Sequence, residues 1–278
     1  MEIHVEVAPQ TLWNVPLPGG HSFPITNSFF MMLVVMAILL IGGALIARTA
    51  KLIPGRVQSV FELIVEFLLN LVEGTAGERL GRQIFPLIGG LFIFIIFANY
   101  IELLPGLGSV GLKHTIEGKQ QIVPFLRPPS SDLNMTLAMA LISYFMFQYL
   151  GIRAHGVRGR IKHLATPFFV FPIEVISEFA RIISLSFRLF GNIFAGDVLL
   201  TIMYAIGNAI KISVIGLFIP VVFLYLEVLF GFIQALVFAI LTLIYITLAT
   251  ADGHEDHVEE EMTGELAQPA AGAVHAGD

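Results

Sequence analysis

Ser184-Leu-Ser-Phe-Arg188-Leu-Phe-Gly-Asn192-Ile-Phe-Ala-Gly196-Asp197 sets an arginine in the middle of a long apolar segment. A guanidinium stays protonated in any protein environment, and placing it at bilayer depth costs roughly 2.5 to 3.5 kcal/mol on insertion scales. Something must offset that cost. Its partner lies either in this chain or in another.

The setting is a membrane. Of the 278 residues, 56% are hydrophobic and only 13% charged, and the mean hydropathy is +0.84, against a charged content of roughly 25% in soluble domains. The apolar runs exceed the roughly 18 to 20 residues that cross a hydrocarbon core and lack the alternating pattern of a barrel strand, so the expected fold is an all-α integral membrane protein. Cysteine is absent, which excludes disulfides and thiol chemistry. The net charge of -6 is concentrated at one end: eight of the 21 acidic residues, from Asp252 to Asp278, lie in the last 27 positions. The start, Met1-Glu-Ile-His-Val-Glu, has no basic n-region of a signal peptide and is too acidic for a transit peptide. The chain is expected to enter the membrane through its own spans.

In order, residues 1–27 read as a polar arm punctuated by Pro9, Pro16, Pro18, Gly19, Gly20 and Pro24 and carrying the single tryptophan, Trp13. The first span is Phe29 to Ala47. Five basic residues follow it (Arg48, Lys51, Arg56, Arg79, Arg82), and the arm has none, so the positive-inside rule places the N-terminus outside. From Pro54 the polar residues Gln58, Glu62, Glu66, Asn70 and Glu73 recur at steps of four, four, four and three, the stripe of an amphipathic helix at the cytoplasmic interface. A span whose Glu62 and Glu66 face a bundle interior is the other reading. Ile84 to Leu104 is the second span, with Asn99 and Glu102 near its outer end. An outer loop rich in breakers leads to Asp132, placed to cap a span running to Gly151. The loop from Gly151 to Thr166 holds Arg153, Arg158, Arg160 and Lys162, again an inner loop.

Pro167 to Ala209 and Lys211 to Ala251 are each about twice the length that a straight span needs. Each segment is either two short spans or one steeply tilted helix, and the tilted two-helix hairpin is preferred. About five membrane helices and one interfacial helix result. Crossing parity leaves the acidic tail, 252–278, in the cytoplasm and without expected order.

The polar groups of the hairpin are patterned. Glu174, Arg181 and Arg188 recur at seven, which drifts only about 20° per step on a helix, and Ser184 and Asn192 flank Arg188 four residues away on either side. Asp197 points to the opposite side. On the second helix Glu227 and Gln234 are seven apart. Antiparallel register sets Gln234 level with Arg188 and Glu227 level with Asp197, with Glu174 on the far side of the arginine. Two adjacent carboxylates raise each other's proton affinity and can hold and pass protons. An arginine that never releases its own proton blocks direct leakage, yet can pair with a carboxylate brought by a moving partner and make it release its proton. No residue of this chain is suited to be that mobile carboxylate.

Plainer readings stand beside these. An intramembrane Arg can be a clamp between helices, a role open to Arg181 near Glu178 and Glu174, and Asn192 and Gln234 taken singly read as interhelical hydrogen bonds. The histidines show no metal-ligand spacing. There is no phosphate-binding glycine loop, catalytic triad or nucleic-acid signature.

With these residues in view the sequence resembles the subunit a family of F-type ATP synthases. The resemblance rests on the quoted arginine stretch, on Gln234-Ala-Leu-Val-Phe with Leu243-Ile-Tyr-Ile, and on Asp132-Leu-Asn134-Met-Thr-Leu-Ala. It covers most of residues 85–251 and leaves the arm and the tail uncovered. It implies one membrane domain over residues 28–251, with 168–251 as a tilted ion-conducting hairpin that faces the rotor c-ring, and b-type peripheral-stalk subunits as further partners in a bacterial plasma membrane. It implies that Arg188 meets the c-ring carboxylate, with Gln234 its neighbour. Asp197 and Glu227 then form the outer half-channel pair, and Glu174 belongs to the inner half-channel. Coupled proton flow without catalysis by this chain, and without a cofactor, is the implied activity. Glu227 stands where many members carry His, and Asp197 where Glu is frequent. Two other functions compete: a stand-alone proton or ion antiporter, which calls for an inverted repeat the sequence lacks, and a polar stripe that serves only assembly.

Overall fold

The computed structural model describes residues 9–16, 22–103, 111–116, 119–124, 127–165, 171–209 and 213–266. Among them the chain forms six helices and two small antiparallel hairpins. Strands β1 (Thr11–Pro16) and β2 (Ser22–Thr26) pair ahead of helix α1 (Asn27–Thr49), so part of the polar arm is a hairpin. The junction is tied twice: Asn27 N donates to Gln10 O at 3.0 Å, and Gln10 N donates to Asn27 Oδ1 at 3.2 Å. Thr26 caps α1 by accepting from Phe29 N, as its hydroxyl suits it to do. α1 buries only Asn27, Ser28, Met31 and Val35 and leaves Ile38, Leu40, Ile41 and Leu45 exposed. In a bilayer those exposed faces meet hydrocarbon at no cost.

Helix α2 (Arg56–Ala76) carries the polar stripe. It is not among the five described helices long and apolar enough to cross a membrane. It packs antiparallel-fashion onto helix α3 (Glu78–Tyr100) through the fully buried Leu68 and Val72. Gly77 makes the turn between them at φ +77, a conformation that disfavours any side chain. Arg82 locks the turn by bonding Glu73 and Glu78, each at 2.9 Å.

After α3 come a 3-10 turn at Ile101–Leu103 and a hairpin of β3 (Gly111–Ile116) and β4 (Lys119–Pro124). A second 3-10 turn, Pro129–Ser131, is buried and packs against α1 and α3. Asp132 then accepts from Asn134 N at 2.9 Å, the capping expected of it, and helix α4 (Leu133–Ala165) begins. Residues 151–165, expected as a loop, are helical instead. Gly156 interrupts them at φ 71, so one break redirects a helix that continues beyond the apolar stretch.

Helices α5 (Phe171–Ala209) and α6 (Ser213–Leu266) are 39 and 54 residues long. Each is one continuous helix, which decides against pairs of short spans. α6 also passes the boundary at Ala251 set by composition. The core lies where α3, α4, α5 and α6 meet, around Ile88, Ile95, Leu189, Phe238, Leu243 and Ile246. Ala235 and Ala239 are fully buried there, and their small side chains let helices approach closely, since lipid offers apolar helices no competing hydrophobic drive. Hydroxyls cross the same interfaces: Thr136 to Ser186 at 3.1 Å, and Thr242 to Ser143 at 3.3 Å. Such bonds are worth about 0.6 kcal/mol each in membranes, enough to fix register without dominating stability.

Candidate functional site

Arg188 is exposed on α5, on a face shared with Ser184, Ala195 and Leu199, and Phe187 beside it is exposed as well. α6 is likewise apolar and exposed at Leu229, Phe232 and Ile233. Among the described residues no ion pair or hydrogen bond to the Arg188 guanidinium is found. A permanent cation is therefore held out on an oily surface, and the low exposure of its neighbour Leu189 (0%) shows that the helix itself is firmly seated behind it.

Glu227 and Asp197 are brought together. The Glu227 carboxylate packs directly on Gly196 of α5, where a Cβ would displace it from its present position. Gly196 is the neighbour of Asp197, so the two acids stand at the same level of the hairpin. Both Glu227 oxygens are buried and make no hydrogen bond among the described residues. Beside them is a cavity of about 180 Å³ lined by Asn99, Asn192, Gly196, Leu199, Phe223 and Glu227. It has room for several waters, which is how unpaired buried oxygens become satisfied. The cavity runs from the carboxylate level to Asn192, one helical turn from Arg188.

Gln234 is 8% exposed and its Nε2 is buried without a hydrogen bond among the described residues. No bond joins it to Arg188. Glu174 belongs to α5, but its side chain lies outside the described residues. Among the described residues no three His, Asp or Glu side chains gather in a way that would hold a metal ion.

Three features were given no role by the sequence. Asn99 lines the larger cavity and also donates to Gly231 O at 3.4 Å, beside Tyr100, whose hydroxyl donates to Val228 O at 3.0 Å. An amide inside an apolar span was the available signal. Arg127, in the loop ahead of Asp132, is 8% exposed and donates to Ser131 Oγ at 3.0 Å. The third is a second, smaller cavity of about 20 Å³ between α4, α5 and α6, lined by Ser143, Tyr144, Arg181, Leu185, Thr242 and Tyr245. Along α5 the two cavities lie on opposite sides of Arg188, one ending at Leu185 and the other at Asn192.

Comparison with known proteins gives the same neighbourhood. Residues 29–247 match the family model described as ATP synthase A chain. ATP synthase subunit a of Helicobacter pylori (strain Shi470) is 36% identical over 190 residues, covering 66% of this chain and 74% of the relative. That of Desulforamulus reducens is 34% identical over 228 residues, covering 78% of this chain and 79% of the relative. A multi-pass helical chain with an arginine between two cavities, matched over most of its length, belongs to the ATP synthase A chain family.

Proposed function

We propose that the chain is the proton-translocating stator subunit of an F-type ATP synthase, seated against a c-ring and held by b-type peripheral-stalk subunits. Protons reach the rotor by one half-route and leave it by another, and Arg188 separates the two. The observation that carries this reading is the pair of cavities flanking Arg188 along α5, neither of them lined by it.

In this reading Asp197 and Glu227 form the outer proton-holding pair. Water in the larger cavity delivers protons to them and on past Asn192 towards the exposed face. There a rotor carboxylate takes the proton. A carboxylate that instead arrives ionised pairs with the Arg188 guanidinium, which favours the charged form and so drives release on the other side. Ser184 and Gln234 support the surroundings of that encounter, and Glu174 marks the inner exit. The arginine's desolvation cost is met by an acid from another chain, the partner missing from this one. The N-terminus is placed outside and the acidic tail in the cytoplasm. A stand-alone antiporter calls for helices broken at mid-span; α5 and α6 are instead continuous over their described lengths.

The absence of cysteine makes a sidedness test direct. Leu199→Cys introduces a thiol into the larger cavity and Ser143→Cys one into the smaller. Silver ions added to vesicles of defined orientation are expected to inhibit proton conduction by the first variant only from the outer side, and by the second only from the cytoplasmic side. Inhibition of both from the same side contradicts two half-routes.

A further inference from the structure

Glu178 is a buried acid to which the route as described gives no task. It lies on α5 ten residues before Arg188, about 15 Å along the helix axis at 1.5 Å per residue, and is 6% exposed. Two donors from α4 converge on one of its oxygens. The Tyr144 hydroxyl donates to Glu178 Oε2 at 3.2 Å and Gln148 Nε2 donates to it at 2.7 Å. Gln148 also reaches the Tyr144 hydroxyl oxygen, at 2.9 Å. Tyr144 has a second exposure: it lines the smaller cavity with Ser143 and Thr242. That volume has room for one water, and the hydroxyls offer such a water polar partners. Arg181, whose guanidinium carbon sits 5.0 Å over the Tyr245 ring, closes the cavity on the α5–α6 side.

The distance from Arg188 to Glu174, fourteen residues, is about 21 Å. No single side chain spans it. A water in the cavity, then the Tyr144 hydroxyl, then Glu178 form a graded series in between, and each neighbour in it that the structure contains is at hydrogen-bonding distance.

We propose that Glu178 carries protons on the inner arm of the route, loaded through Tyr144 from water in the smaller cavity. This rests on the two-half-route reading above. In the transfer the Tyr144 O–H bond breaks as its proton passes to Glu178 Oε2. The phenol oxygen takes a proton from the cavity water, which has received the one released by the rotor acid. The phenol and the water are regenerated, and Glu178 passes its proton towards the N-terminal end of α5. Proton transfers of this kind need heavy atoms within about 3.2 Å or one intervening water, the spacing found here.

The same contacts would also serve a clamp between α4 and α5, and two substitutions separate the roles. Glu178→Gln keeps the shape and the acceptor oxygen but cannot carry a proton; Glu178→Asp keeps the acid but shortens the reach. Passive proton conduction is measured in vesicles holding the complete membrane sector with the soluble sector stripped off, after assembly has been verified by immunoblot. Carriage predicts a loss of about tenfold in Glu178→Gln and substantially higher conduction in Glu178→Asp. Parental conduction in Glu178→Gln, or equal loss in both variants, overturns the proposal. Should Glu178→Gln fail to assemble, Tyr144→Phe decides: it must conduct several-fold less than the parent, and parental conduction overturns the proposal. Glu174→Gln and the Asp197→Asn, Glu227→Gln double variant run alongside. If they too conduct like the parent, it is the half-route reading that fails.

Discussion

Arg188→Ala is expected to reduce proton-driven ATP synthesis and ATP-driven proton pumping to background, a loss of at least about a hundredfold, or about 2.7 kcal/mol on the coupled step. The size of the effect follows from the charge. The guanidinium lies on an apolar face with no hydrogen bond or ion pair among the described residues, and its removal relieves the insertion cost of roughly 2.5 to 3.5 kcal/mol. The variant should therefore fold, because no bond among the described residues is lost with the guanidinium. What it loses is the means of making an arriving carboxylate give up its proton. Arg188→Lys keeps a cation but loses the planar fork and becomes able to deprotonate when desolvated, so it is expected to fall well short of the parent. Quantitative immunoblotting with synthesis rates checks both. An Arg188→Ala complex that synthesises ATP at the parental rate removes the assignment.

The second large effect is expected from Asp197→Asn combined with Glu227→Gln. Both changes are close to isosteric, so the contact between the residue 227 side chain and Gly196 and the shape of the cavity are retained. Both remove the ability to hold a proton. Passive conduction through the stripped membrane sector is expected to drop about tenfold or more. Each single variant should lose less than half of that effect on a logarithmic scale, since the remaining acid still holds one proton and neighbours in one network do not act additively. Conduction retained in the double variant would leave the polar stripe with assembly as its only task.

The long elements were legible because membrane helices are written in composition. The spans, the Gln58-to-Glu73 stripe of α2 and the capping role of Asp132 follow from periodicity and side-chain chemistry alone. Antiparallel register also set Glu227 level with Asp197, and Glu227 indeed packs on Gly196. Register could not reach features made by a third helix. Glu178 faces α4, and the pairing with Tyr144 and Gln148 joins residues 30 or more positions apart. Arg127 stands in a loop ahead of Pro128 and Pro129, and packing of the Pro129–Ser131 turn into the helices accompanies its burial. The break at Gly156 was hidden for a different reason. Basic residues around it signalled a loop, yet charge sets sidedness rather than backbone conformation.

The central claim is that Arg188 obliges protons to travel with the rotor. The most direct measurement is proton flux through the stripped membrane sector with the c-ring covalently cross-linked to this chain, so that rotation is blocked. The account predicts no flux in the cross-linked parent and a measurable leak in cross-linked Arg188→Ala, where the two half-routes are no longer separated. Flux through the cross-linked parent, or an Arg188→Ala sector as tight as the parent, would contradict it.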